Sequence, residues 1–205
     1  FAGGTSDCFV AKFQSDGTYL WHTFLGSGDI DECLAVAIDA NDNIIITGQS
    51  YDPWGMPIRA YGGGQSDGFV AKLDGNGTLQ WHTFLGGAAN DWSQAVAIDS
   101  LGNLFIGGTT EATWGTPLNP HAGQDEIYVA KLTANGALTW HTFMGAAAGN
   151  DISRAIALDS ADNVLIGGQS FADWGAPINA FAGGVDGILA KVDGNSGARL
   201  WHTFI

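Results

Sequence analysis

The sequence predicts an all-β chain built as an array of one repeated unit, and three observations carry that reading. The tetrapeptide Trp-His-Thr-Phe recurs at Trp21, Trp81, Trp140 and Trp201, spaced 60, 59 and 61 residues apart. A period near 60 without helical patterning inside it means that a residue present in every unit first serves the unit, so function is sought in the departures. Charged residues are only 14% of the chain, while Gly numbers 31 and aromatics reach 11%. That composition suits short strands joined by tight turns better than helices rich in Ala, Glu and Lys.

Within the unit the elements follow in order. Ala95-Val96-Ala97-Ile98 alternates small with branched side chains and runs into Asp99-Ser100-Leu101-Gly102-Asn103, a polar turn, so it predicts a first strand and hairpin. Leu104-Phe105-Ile106-Gly107-Gly108 is the second strand, with counterparts at Ile44 to Gly48 and Val164 to Gly168. A longer connection passes through Trp114-Gly115-Thr116-Pro117, Trp54-Gly55-Met56-Pro57 and Trp174-Gly175-Ala176-Pro177, where Gly and Pro argue against regular structure. The third strand is Tyr128 to Leu132, matched by Phe9 to Phe13, Phe69 to Leu73 and Ile188 to Val192. It ends in a turn such as Asp74-Gly75-Asn76-Gly77, and the fourth strand is Leu79 to Phe84.

Four antiparallel strands per period, repeated radially, make the blade of a β-propeller, in which both faces of each sheet pack on neighbours. The chain then divides into a partial blade at 1–26 and three full blades at 27–86, 87–145 and 146–205. Small residues such as Ala35, Ala37, Ala95 and Ala97 suit the crowded innermost strand, which places the Trp-His-Thr-Phe strand at the rim.

These residues resemble the bacterial seven-bladed β-propeller repeats known as SBBP repeats. The resemblance lies in Gly62-Gly63-Gly64-Gln65-Ser66-Asp67-Gly68-Phe69-Val70-Ala71-Lys72-Leu73, in Trp81-His82-Thr83-Phe84-Leu85-Gly86-Gly87 and in Ala95-Val96-Ala97-Ile98-Asp99-Ser100-Leu101-Gly102-Asn103. It implies a module of large secreted or surface proteins of bacteria, and it brings no catalytic motif with it. Fold alone names no chemistry.

Propellers close with four to eight blades, so three and a half predict either a piece of a longer polypeptide or self-association. Two copies would supply 28 strands, the number in seven blades. Seven Lys and Arg against 21 Asp and Glu give a net charge of −14, which opposes nucleic acid as a partner. No apolar run reaches the length of a spanning helix, and membrane insertion is not expected. Cys8 and Cys33, the only cysteines, allow one bridge or two buried free thiols, the second being the simpler reading.

Candidate sites are weighed against structural roles. His22, His82, His141 and His202 recur at the rim, too far apart to share a metal, and read as hydrogen-bonded structural groups. Lys12, Lys72, Lys131 and Lys191 each follow an acid by five residues (Asp7, Asp67, Glu126, Asp186), which suggests a partly buried ion pair. The acidic turns Asp39 to Asn43 and Asp159 to Asn163 lack the ligand spacing of a calcium loop and suit hairpins. Asp31, Asp91 and Asp151, ahead of each first strand, are the better calcium candidates; the competing role is loop capping. No other cofactor is indicated.

The long loops present Tyr51, Trp54 and Tyr61, then Trp114 and His121, then Phe171, Trp174 and Phe181. Aromatic faces beside amides suit stacking on sugar rings, unless the Trp-Gly-x-Pro segment folds back and buries its own Trp. The acids off the repeat pattern are Asp29, Glu32 and Glu111, and nothing in the sequence brings them together. No catalytic motif is present. The expected function is a non-enzymatic propeller scaffold for protein interaction or assembly in a bacterial extracellular or surface protein, with a lectin-like propeller as the alternative.

Overall fold

A computed structural model describes residues 3–205. They form fourteen strands in four antiparallel sheets, with no helix among the described residues. The half-blade is β1 (Cys8–Phe13) with β2 (Tyr19–Leu25). Blade one is β3 (Asp31–Ile38), β4 (Ile44–Ser50), β5 (Asp67–Leu73) and β6 (Leu79–Leu85). Blade two is β7 (Asp91–Ile98), β8 (Leu104–Thr110), β9 (Glu126–Leu132) and β10 (Leu138–Met144). Blade three is β11 (Asp151–Leu158), β12 (Val164–Ser170), β13 (Asp186–Val192) and β14 (Arg199–Phe204). Each full blade is paired in chain order, and the first strands meet across blades, β3 with β7 and β7 with β11. The first strand is therefore the inner one.

Alternation along the strands sends side chains to both neighbouring blades, and one apolar cluster fills each junction. Phe69 and Ala71 of β5 pack back on Cys8 and Val10, whereas Val70 packs forward with Ile45 against Ile106, Tyr128 and Leu132. Phe105 and Val129 repeat the forward contact onto Ile166, Ile188 and Val192. A second contact fastens the outer part of each junction. In the turns between third and fourth strands, Gly77 (φ 84°) lies against the Trp21 ring, Gly136 (φ 82°) against Trp81 and Gly197 (φ 72°) against Trp140. A side chain at these positions would start within 3 Å of the indole.

Three features differ from the sequence reading. The first strands begin four residues early, at Asp31, Asp91 and Asp151, because a bulge at Leu34, Gln94 and Arg154 lets the ladder continue through Ser or Cys. The lysines do not pair with the acids five residues earlier, since an odd spacing along a strand puts the two side chains on opposite faces. Lys72 instead bridges Asp39 (2.9 Å) and Lys191 bridges Asp159 (2.7 Å), while Lys12 and Lys131 donate to the Gly75 and Gly194 carbonyls of the next blade. Cys8 and Cys33 are joined in a disulfide that ties β1 to β3.

Candidate functional site: the inner ends of the first strands

The recurring residues are absorbed by the blade. In the full blades the Trp-Gly-x-Pro segment folds over the sheet, and its Trp stacks on the rim histidine: Trp54 on His82 at 3.8 Å, Trp114 on His141 at 3.9 Å and Trp174 on His202 at 4.0 Å between centroids. Each of these histidines also donates from Nε2 to the carbonyl of that same Trp at 2.8 Å. Burial lowers the pKa of all three imidazoles, and the carbonyl bond only partly opposes it, so they stay neutral at pH 7. His22 belongs to the half-blade, which has no such loop, and it bonds the Tyr19 hydroxyl instead.

Trp114 and Trp174 are buried, and Arg59 and Arg199 lie over their rings as well. Tyr61 and Phe181 pack edge-on against Phe84 and Phe204, in the position that His121 takes against Phe143. Tyr51 and Phe171 follow the second strands of separate blades, where their backbone N–H groups bond the carbonyls of Ile30 and Asn150. The seven aromatic candidates are thus spread over blades one and three and the junction loop of blade two, and the structure does not gather them into one surface.

Asp31, Asp91 and Asp151 open the first strands of three different blades. Their carboxylates accept the N–H of Ser27 (2.6 Å), Gly87 (2.8 Å) and Ala146 (2.7 Å), and Asp151 also accepts the Trp174 indole N–H at 3.0 Å. Among the described residues no three His, Cys, Asp or Glu side chains converge as a metal set. The acidic turns act as hairpin caps: Asp39, Asp99 and Asp159 each accept the backbone N–H two and four residues on.

What does not repeat is gathered at one place. The bulge positions carry Leu34, Gln94 and Arg154, and the positions two residues earlier carry Glu32, Trp92 and Ile152. All of these but Glu32, together with Gln49, Thr109 and Asp125, surround an open cavity of about 330 Å³ where the inner strands of three blades meet. Polar side chains there hold one another in place. Thr109 donates to Gln94 Oε1 at 2.7 Å, Gln49 Nε2 to Glu32 at 2.5 Å, and Arg154 to Gln169 Oε1 at 3.2 Å. Burial, then Glu111, raises the pKa of Asp125, with His121 opposing. A cation, amides, acids and the half-buried Trp92 on one rigid rim can recognise a mixed polar and apolar partner.

None of the off-pattern acids lines this cavity: Glu32 touches its edge only through the bond from Gln49, Glu111 bonds Asn90, and the Asp29 N–H bonds Ser27. The rim was missed in the sequence because the bulge residue sits at an unremarkable position. A comparison of the three first strands column by column is the signal that finds it.

Residues 80–113, which run from the rim strand of blade one across the junction to the loop of blade two, match the family model of the SBBP β-propeller repeat. That segment is an SBBP β-propeller repeat. Two curated relatives carry similar sequence. Regulatory protein FlaEY of Caulobacter vibrioides is 27% identical over 142 residues, which is 65% of this chain and 15% of that protein. An uncharacterized WD repeat-containing protein of Acanthamoeba polyphaga mimivirus is 25% identical over 167 residues, 70% of this chain and 12% of that protein. The chain spans a small part of either relative. Among solved structures, a protein of unknown function from Bacteroides caccae superposes with a TM-score of 0.52 at 14% identity, covering 98% of this chain and 71% of that one. This is a likeness of fold alone.

Proposed function

We propose that this SBBP propeller segment is a non-catalytic scaffold that binds a partner protein at the inner rim formed by Trp92, Gln94 and Arg154. One observation carries the reading: side chains that differ from blade to blade collect at this rim, while the repeated ones are engaged in blade packing. The engagement of the buried histidines in Trp stacking supports a non-catalytic role. The name of one relative, a regulatory protein, is in keeping with it. The disulfide between Cys8 and Cys33 supports an extracellular or surface setting, where such bonds persist.

A photo-crosslinker in place of Gln94, compared with one in place of the rim-strand residue Gln80, tests the proposal. The expected result is a protein adduct from position 94 alone that disappears in Trp92→Ala and Arg154→Glu. Equal adducts from both positions would remove the inner rim from the reading. Saturable binding of a glycan, lost in Trp54→Ala with the fold retained, would replace it with the lectin-like alternative.

A further inference from the structure

Arg59 fastens the junction between blades one and two from the loop that follows Trp54. Its guanidinium donates to the Phe84 carbonyl at 3.0 Å and to the Gly86 carbonyl at 2.8 Å, and it lies over the Trp114 ring at 5.1 Å. Two buried carboxylates, Asp67 and Asp91, share its surroundings, and both reach within 3 Å of where a Cβ on Gly86 would stand. The joint gathers two carbonyls, a Trp face and two acids round one planar cation.

The junction between blades two and three repeats these walls without that side chain. Asn119 stands in the place of Arg59: its carbonyl accepts the Phe143 N–H at 3.4 Å, as the Arg59 carbonyl accepts that of Phe84 at 3.2 Å. The short Asn119 amide bonds the Thr142 hydroxyl instead, at 3.0 Å. A Cβ on Gly145 would meet Asp151 and Glu126 as one on Gly86 meets Asp91 and Asp67. Glu126, Phe143, Gly145 and Trp174 line an open cavity of about 230 Å³ together with Asn119 and Arg199. Arg199 covers the Trp174 ring at 4.9 Å, but no side chain among the described residues donates to the Phe143 or Gly145 carbonyl as Arg59 does to Phe84 and Gly86. Glu126 is 1% exposed, and the Ala122 and Gly123 N–H groups both bond its Oε1, which leaves Oε2 for a further donor. Burial raises the carboxyls of Glu126 and Asp151 as it raises those of Asp67 and Asp91, yet only the latter pair has a guanidinium to oppose it.

We propose that this cavity binds the guanidinium group of a ligand, in the place that Arg59 fills at the preceding junction. A planar fork of donors can meet two carbonyls and a carboxylate oxygen together, whereas an ammonium is a compact point charge without that geometry. The net charge of −14 favours the arrival of a cation. The cavity shares no lining residue with the inner rim, so the two sites stand or fall separately.

Calorimetric titration of the intact chain with butylguanidinium tests the proposal, with butylammonium as the control of equal charge and chain length. Saturable binding of butylguanidinium, about tenfold or more tighter than that of butylammonium, is expected. Glu126→Gln, which keeps an Oε1 acceptor for Ala122 and Gly123, is expected to weaken it by about tenfold or more. Asn119→Arg is expected to abolish it by filling the cavity from within, and to raise the melting temperature. A blocked Gly-Arg-Gly peptide identifies the source of the group. Binding of the peptide as well assigns the site to an arginine side chain of a polypeptide, and binding of butylguanidinium alone assigns it to a free small guanidinium compound. Absence of saturable binding, equal binding of the two cations, or unchanged binding in both variants with native circular dichroism overturns the proposal. The comparison of cations uses the unaltered chain, so it decides even where a variant does not fold.

Discussion

Gly136 combines a positive φ with a Trp81 ring less than 3 Å from where a Cβ would stand. Gly17 has the same backbone conformation, yet nothing lies within 4 Å of its Cβ position. Gly136→Ala is therefore expected to lower stability by about 2–4 kcal/mol, the sum of a left-handed backbone cost and a displaced indole, and Gly17→Ala by only about 1 kcal/mol. Urea unfolding of the two variants side by side checks the difference. A second residue-scale prediction concerns pH. Burial raises the carboxyl of Asp67 to about 7 and that of Asp91 to about 6; Asp91 adds to the first, and the Arg59 guanidinium opposes both. A carboxyl raised in the folded chain stabilises it when protonated, so this contribution is present below pH 4 and lost as pH rises through 6 to 7. Melting temperature is expected to fall between pH 5 and pH 8, and Asp67→Asn to flatten that slope. Asp159 acts in the opposite sense. Lys191, then Asn163, holds its carboxyl below the usual range, and its contribution is lost only as pH falls below about 4.

At the scale of the element, the loop between second and third strands is a lid on its own blade. Trp114 is buried between β9 and β10, stacked on His141 and edge-on to Tyr128 and Phe143. Trp114→Ala is expected to cost about 3–5 kcal/mol in denaturant unfolding while leaving the strand content unchanged. The strands and their order were legible in the sequence because Trp-His-Thr-Phe, the Gly-Asn turns and the apolar runs each report one local requirement. The early start of the first strands was not, since Asp-x-Cys or Asp-x-Ser followed by a bulge lacks the alternation that marks a strand. Nor were the lysine partners legible. They depend on which face of the strand Lys72 takes and on where Asp39 arrives from another hairpin. The inner rim escaped for a related reason: Gln94 and Arg154 owe their position to a bulge, and a bulge leaves no residue type of its own.

Taken whole, the molecule is a row of sheets in which each junction is complete only between full blades. Stability is then uneven along the chain, as in other arrays whose units contact only their neighbours. The half-blade is held by the Val10 cluster, the Trp21 contact and the disulfide from Cys8 to Cys33. Reduction of that bond, which spans 25 residues of sequence, is expected to remove about 3 kcal/mol of local stability. Amide exchange in β1 and β2 is expected to quicken, with β8 and β9 unaltered; uniform acceleration along the chain would mean that the array unfolds as one body instead. The Trp plug and glycine socket have a consequence for how such chains change over generations. Every unit carries both halves of the joint, and the joint does not depend on how far apart its halves lie in sequence. Duplication or loss of one sixty-residue unit therefore recreates an intact joint at the new boundary, and blade number can change by whole steps without redesign of any surface.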